Sequence, residues 1–313
     1  MTSPAPTTRP RRALDGVLLL DKPVGITSQT AVTLAKRLYS AAKAGHTGTL
    51  DPMAEGLLPV CFGEAAKFSH LLIEADKEYR AGIRLGMTTT TGDMEGEITA
   101  DVPVSIARSA VEETLSRFTG NMLQIPPMYS ALKRAGKPLY RYARAGIEVE
   151  RTPRAVCIRR IALEACDQDG ITISVRCSKG TYVRVLAEDI GRALGCGACL
   201  RSLRRTAVGN LRVEGALTFE YLESAPSEKR DEVLQPVDVL VAGLPRVDLS
   251  ADQAKKIMNG RAVEGTPSGP SGLVRIYGPG ADYLGVAEAE VGGRLTPRRL
   301  MASCGAGLHS AMA

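Results

Sequence analysis

The sequence predicts an α+β protein built on a mixed or antiparallel sheet flanked by helices, with a small β-rich module at the end. Three observations carry this. Apolar alternation and helical spacing interleave along the chain, several of the strand segments are joined by links of hairpin length, and a boundary signal at Gly243-Leu244-Pro245 precedes a segment of short strands. A doubly wound sheet would need a helical crossover between successive strands.

The elements follow in order. Residues 1–14 read as a flexible basic tail; Thr2 to Arg12 contains no hydrophobic stretch, so it does not resemble a secretory leader. Gly16 to Leu20 is a short buried strand, closed by the turn Asp21-Lys22-Pro23-Val24-Gly25. Ser28 is placed to cap a helix with Val32, Ala35 and Leu38 on its inner face. Gly45 to Gly56, dense in glycine and proline, reads as a loop. Lys77 to Gly86 puts Tyr79, Ala81, Ile83 and Leu85 on one face of a strand, and Thr88 to Gly96 turns the chain toward Glu97-Ile98-Thr99. Ser105 to Phe118 is amphipathic helix, and the paired prolines of Gln124 to Tyr129 mark an exposed loop. Ile171, Ile173, Val175 and Cys177 define a half-buried strand. Leu186, Ile190 and Leu194 line a helix stopped by Gly195, and Thr206 to Val213 reads as a strand. Beyond residue 244, Ser250 and Gln253 have capping-box spacing for a helix to Met258. A linker over Glu264 to Gly272 and strands around Val274 and Val286 complete the module.

Composition narrows the function classes. The chain has 313 residues, 44% hydrophobic and 24% charged, which is ordinary for a globular protein with a real core. No apolar run approaches the roughly 18 residues of a membrane span, and seven cysteines without framework spacing point to free thiols in a reducing, cytoplasmic setting. The net charge of +6 is unevenly held. Residues 133–154 carry seven basic and two acidic residues, as do residues 176–205, so each is +5 and the remainder sums to −4. Such clustering is the footprint of a polyanion, or else of two solvated helix faces.

Gly45-His46-Thr47-Gly48-Thr49-Leu50-Asp51-Pro52-Met53-Ala54-Glu55-Gly56 is the most unusual stretch. It presents one carboxylate, Asp51, beside one of three histidines; a plain turn in which Asp51 bonds its own backbone fits the same residues. It lacks the lysine of a phosphate-binding P-loop. At Lys179-Gly180-Thr181-Tyr182-Val183-Arg184, a strand-to-helix junction would present an aromatic beside a guanidinium, a platform for a nucleotide base or simply a packed helix surface. No metal site is expected. Cys196 and Cys199 form a single C-x-x-C, and Asp93 to Glu97 has too few carboxylates for a calcium loop. A glycoside-type hydrolase would need a second carboxylate across the bond, and no motif supplies one.

Six ordered motifs then point one way. They are Asp21-Lys22-Pro23-x-Gly25-x-Thr27-Ser28, the Gly45 to Gly56 loop, Lys77-x-Tyr79 running to Leu85-Gly86, Pro126-Pro127-x-Tyr129-Ser130-Ala131-x-Lys133, Gly180-Thr181-Tyr182-x-Arg184, and Leu203-Arg204-Arg205-Thr206. Across roughly residues 15–245 the chain resembles the bacterial TruB-type tRNA pseudouridine-55 synthases, and more weakly the tail resembles their PUA-like RNA-binding module. Glu55 stands where a small hydroxyl residue is common in that family, and Cys199 where histidine is.

The resemblance implies a catalytic domain over 15–244 with the pseudouridine-synthase sheet, a mobile basic loop at about 124–154, and a PUA-like module over 245–313. It implies that Asp51 is the nucleophile. Tyr79 would stack on a flipped uracil, Arg184 would pair with Asp51, and His46, Tyr182 and Leu203 would contact base or RNA. Lys22 would support the site, while Lys133, Arg141, Arg144 and Arg151 would hold RNA backbone. Burying a carboxylate in a closed apolar pocket penalises its ionised form, and a neighbouring guanidinium offsets that penalty. The implied reaction is an isomerisation of uridine 55 in the T-arm of tRNA by a monomer, with no cofactor, no membrane and no obligate protein partner.

Overall fold

A computed structural model of the protein describes residues 11–265 and 271–302. The expected basic tail lies mostly outside these residues, and its described end is held. Arg12 pairs with Asp231 at 2.5 Å and exchanges backbone hydrogen bonds with Ser40 and Ala42. Part of the expected 264–272 linker also lies outside them.

The chain lays down β1 (Gly16–Lys22), α1 (Ser28–Leu38), β2 (Ala44–His46), β3 (Ala54–Phe62), the short α2 (Ser69–Ile73) and β4 (Lys77–Leu85). A hairpin of β5 (Met87–Thr89) and β6 (Ile98–Asp101) leads to α3 (Arg108–Ser116) and β7 (Gly120–Gln124). A second small hairpin, β8 (Lys133–Arg134) with β9 (Lys137–Pro138), runs into α4 (Leu139–Arg144). Then come β10 (Arg154–Cys166), β11 (Gly170–Cys177), α5 (Val183–Ala193), β12 (Ala198–Val208), β13 (Leu211–Arg212), α6 (Phe219–Ser224) and α7 (Ser227–Glu232). The end of the chain forms β14 (Arg246–Asp248), α8 (Ala251–Met258), β15 (Gly272–Tyr277), β16 (Tyr283–Ala289) and β17 (Leu295–Leu300). No described helix is long and apolar enough to cross a membrane.

The main sheet runs β1-β3-β12-β4-β11-β10-β7, with β2 added to β3 and β13 to β12. All pairings are antiparallel except β3 with β12, so the sheet is mixed, as expected. Alternation explains which face is covered. Leu18, Leu58, Ala81, Ile83, Ile158, Ile171 and Ile173 are buried with Val32 and Ala35 of α1, Val111 and Leu115 of α3, and Leu186 and Ile190 of α5. Each of the buried Leu, Ile and Val side chains contributes on the order of 1.5–3 kcal/mol. The intervening residues Arg80, Arg84, Ser174 and Arg176 point to the other side, where β4, β11 and β10 carry ion pairs instead of an apolar layer. The final four strands form a separate sheet, β14-β15-β16-β17, whose core includes Leu249, Ile257, Val274, Ile276 and Leu295.

Several expectations shift. Thr27, not Ser28, caps α1 by accepting the Thr30 N–H at 3.0 Å. The 45–56 loop shrinks to residues 47–53, because β2 and β3 take its two ends. The helix expected from Ser105 starts only at Arg108, since Val104 and Ile106 leave the helical course to pack on the core. The strand expected at Thr206 begins eight residues earlier, at Ala198, and the turn at Gly209 (φ +56°) separates it from β13. The capping box of Ser250 and Gln253 is formed. The strands around Val274 and Val286 gain the polar edge strands β14 and β17.

Candidate active site

The β2–β3 loop carries Asp51 and is fastened from three sides. Ser28, freed from capping, turns its hydroxyl to Leu50, accepting the backbone N–H at 2.8 Å and donating to the carbonyl at 3.0 Å. The Gly25 N–H donates to Pro52 O at 2.8 Å, tying in the turn after β1. From β12, the fully buried Arg205 donates to Leu57 O (2.8 Å), Gly48 O (3.1 Å) and Thr49 O (3.4 Å). The close approach of β12 also explains Gly56: at φ +100°, a Cβ there would lie 2.4 Å from Arg205 O. Arg205 belongs to a motif seen in the sequence, yet nothing local signalled that its partners are backbone carbonyls.

Arg184, at the start of α5, reaches Asp51 with Nη2 to Oδ2 at 3.0 Å. Its side chain is 5% exposed and is held by Thr91 O (3.1 Å) and Tyr129 O (2.7 Å). Its Nε lies 3.6 Å from the buried Asp93, which accepts from Thr91 Oγ1 at 2.5 Å and from the Glu95 N–H at 3.1 Å. In the sequence Asp93 belongs only to a segment too poor in carboxylates for calcium; its partner is 91 residues away, beyond any local signal. A buried guanidinium shared by two carboxylates is better compensated than one with a single partner. The expected closed apolar pocket is therefore corrected. The Asp51 side chain is 39% exposed, and Asp93, Glu95 and Arg184 line the same cavity. Burial, then the charges of Asp93 and Asp51, raise the Glu95 pKa.

Asp51 stands on the wall between two cavities, with Thr49, Leu50, Ser130, Ala131 and Arg184 also common to both. One, of about 340 Å³, is lined by Tyr79, Tyr182, Leu203, Lys77 and Arg205. The other, of about 460 Å³, adds His46, Asp93, Tyr140 and Arg144. Burial pushes the Tyr79 phenol up, against the opposing pull of neighbouring Arg205, so it is neutral at pH 7. Burial raises Tyr182 in the same way. Burial and then Arg205 lower His46, whose Nδ1 accepts the Gly48 N–H at 3.2 Å; the neutral ring thus carries its proton on Nε2. Lys22 lines neither cavity. Fully buried, it donates to Pro23 O (2.7 Å) and Ile26 O (2.8 Å), bracing the turn that holds Pro52. Burial, then Arg205, pull its pKa down to about 8.

The two basic segments differ sharply. In 176–205 every basic residue is engaged. Arg176 meets Asp76 and Glu78, Lys179 meets Glu74, Arg192 meets Asp189 and Arg201 meets Asp167. Arg204 forks onto Asp21 (3.1 and 2.6 Å) and reaches Glu55 at 3.3 Å, which absorbs the unusual acidic residue. Cys199, the other departure, is buried with its Sγ 3.7 Å from Met94 Sδ, and burial pushes its thiol up to about 11. In 133–154, by contrast, Lys133, Arg141 and Arg144 are exposed and form no ion pair among the described residues. Arg151 is placed differently from these three. It is 23% exposed and braces the loop through Pro126 O (3.2 Å) and Glu148 (3.4 Å).

Comparisons with known proteins address the family of the chain. The model for the TruB family pseudouridylate synthase N-terminal domain matches residues 36–183, that for the tRNA pseudouridylate synthase B C-terminal domain residues 184–242, and that for the pseudouridine synthase II TruB C-terminal region residues 245–301. The chain is 56% identical to tRNA pseudouridine synthase B of Azoarcus sp. (strain BH72), over 94% of this chain and 97% of that protein. It is 54% identical to the protein of the same name from Burkholderia mallei (strain ATCC 23344), over 96% and 99%. Among solved structures, a Cbf5-Nop10-Gar1 complex contains a chain with TM-score 0.72 and 25% identity, covering 92% of this chain and 85% of that one.

Proposed function

Because the chain belongs to the TruB family of pseudouridylate synthases, we propose that it converts uridine to pseudouridine at position 55 in the T-arm of tRNA, with Asp51 as the catalytic carboxylate. The observation that carries this reading is the place of Asp51, 3.0 Å from a buried guanidinium on the wall between two cavities. The reaction breaks the N1–C1′ bond, turns the uracil and forms a C5–C1′ bond, while the proton leaving C5 is balanced by one gained at N1. Atoms and electrons stay within the substrate, so the chemistry calls for no redox partner. Asp51 serves either by attack at C1′ or by removing a proton nearby, and Arg184 keeps its charge oriented in both routes.

The Tyr79 cavity suits the uracil. Unstacking the target costs a few kcal/mol, and stacking on Tyr79 returns about 1–3 kcal/mol. Leu203 supplies an apolar wall, and the neutral His46 ring offers a donor to RNA without a charge. The basic hairpin and α4 close over the RNA arm, the C-terminal module adds RNA contacts, and the protein acts as a cytoplasmic monomer without an obligate protein partner. Mapping pseudouridine in tRNA from cells lacking the protein tests the reading; an unchanged position 55 would remove it.

Two further results are expected. Tyr79→Ala loses stacking and hydroxyl together and should impair both RNA capture and turnover, whereas Tyr79→Phe should bind RNA normally and turn over more slowly. Near-normal rates for both would take Tyr79 out of the pocket. Neutralising Lys133 and Arg141 should weaken binding to all tRNAs and shrink the log–log salt slope by about 0.7–0.9 per lost phosphate contact. Neutralising the paired Arg176 and Arg201 should leave that slope unchanged, and filter binding across a salt series separates the two sets.

A further inference from the structure

We propose that Gln124, the last residue of β7, is a positioning residue: its side-chain amide fixes the start of α5 so that Arg184 meets Asp51. The proposal rests on the reading of Asp51 as the catalytic carboxylate and adds to it a residue that acts from outside the cavities.

Two hydrogen bonds carry it. The Tyr182 N–H donates to Gln124 Oε1 at 3.0 Å, and Gln124 Nε2 donates to Tyr182 O at 3.3 Å. One side-chain amide thus takes both backbone groups of one residue, as a neighbouring strand would, from 58 positions earlier in the chain. An uncharged amide suits this because it sets a donor and an acceptor side by side. Gln124 is 2% exposed, so water does not compete for either bond. Its backbone is itself fixed, since Gln124 stands opposite Arg154 in the ladder of β7 with β10.

Tyr182 lies where the chain enters α5, and its side chain does not cap that helix. Gln124 supplies the restraint from another element instead. Arg184 follows two residues later, and its guanidinium has little freedom. Nη2 serves Tyr129 O at 2.7 Å and Asp51 Oδ2 at 3.0 Å together, while Nη1 donates to Thr91 O at 3.1 Å. Hydrogen bonds of this kind span about 2.7–3.2 Å, so a drift of about an ångström at the start of α5 breaks at least one of them. Asp51 sits on a loop clamped separately, by Ser28 and Arg205. The two halves of the ion pair are therefore held by different parts of the fold, and Gln124 keeps the arginine half in register.

Gln124 lines neither cavity that meets at Asp51. It borders a third, of about 520 Å³, together with Val185, Glu188 and Arg192 of α5. Its effect on the reaction therefore passes through α5 and not through contact with the base.

The test uses full-length Gln124→Met, which keeps the length of the side chain and removes both polar atoms. The single-turnover rate constant at saturating protein should fall about 10- to 100-fold, with tRNA affinity within about threefold of wild type. A merely structural role would lower the melting temperature and the fraction of active protein, and leave the rate constant of that fraction unchanged. Crystal structures of wild type and variant in one crystal form supply the second readout. Arg184 Nη2 and Asp51 Oδ2 should separate beyond about 3.5 Å in the variant. Gln124→Asn keeps both polar atoms but draws them back by one methylene, and it carries the same test should Gln124→Met fail to fold. A rate constant equal to wild type, or a slow variant in which Arg184 still meets Asp51 at 3.0 Å, overturns the proposal. A wild-type protein that forms no pseudouridine would instead remove the functional reading, while the two crystal structures would still report on the Arg184–Asp51 pair.

Discussion

Asp51→Asn is expected to abolish pseudouridine formation, by about 10³-fold or more in single-turnover rate, while tRNA affinity stays the same or tightens slightly. The change is nearly isosteric. The amide keeps an acceptor oxygen for Arg184, so the guanidinium and the Thr91 and Tyr129 carbonyls it holds should stay in place. What is lost is the negative charge that acts on the sugar, and with it a charge that opposes RNA. Filter binding and single-turnover assays on the same protein preparation separate the two effects. A fully active Asp51→Asn protein would leave the carboxylate without a catalytic role, and a non-catalytic RNA-binding protein would become the better description.

The second large effect should come from a residue that need not touch the substrate's sugar at all. Arg205→Met removes the donor to Leu57, Gly48 and Thr49 carbonyls beneath the catalytic loop. Leaving buried carbonyls unpaired costs roughly 1–3 kcal/mol each, and relief from burying a guanidinium returns part of that. The carbonyl losses outweigh the relief, so a net loss of about 2–4 kcal/mol is expected, or a fall in Tm of about 5–15 °C. Turnover should fall further than the folded fraction explains, because Gly48 to Asp51 lose their anchor. Arg205→Lys keeps the charge without the fork and should lie between. Calorimetry with parallel rate measurements decides it, and wild-type stability and activity in Arg205→Met would refute the clamp.

What the sequence made legible was local. Alternation in Tyr79, Ala81, Ile83 and Leu85 marks β4, helical spacing in Leu186 and Ile190 marks α5, and the Ser250–Gln253 box marks α8, because each pattern is complete within a few residues. β12 was half missed for a definite reason. Register shifts between Leu200 and Ser202 and between Arg205 and Ala207 break its period, so apolar alternation does not run through it. The motifs brought Asp51, Tyr79, Tyr182, Arg184 and Leu203 to attention, and the fold gathers them around one wall. Asp93 and Arg205 were out of reach, because their meaning lies in partners distant in the chain. The same holds for charge. Counting saw a polyanion footprint at 176–205, but Arg176 and Arg204 meet carboxylates about 100 and 183 positions earlier, which no local sum reveals.

The order of strands has a consequence for how the protein is made. β12 lies between β3 and β4, yet it is synthesised after both, and β4 ends at Leu85 while β12 ends at Val208. At about 5–20 residues per second, the ribosome needs roughly 6–25 s to cover that interval. During it the nascent chain holds two strands with bare facing edges, and Asp51 is without Arg184 and Arg205. Bare edges invite pairing with other chains. The active site is therefore completed late: the start of α5 supplies Tyr182 and Arg184, and the strand that follows it delivers Leu203, Arg204 and Arg205 together. The last part of the site and the strand that joins the two halves of the sheet arrive in the same step.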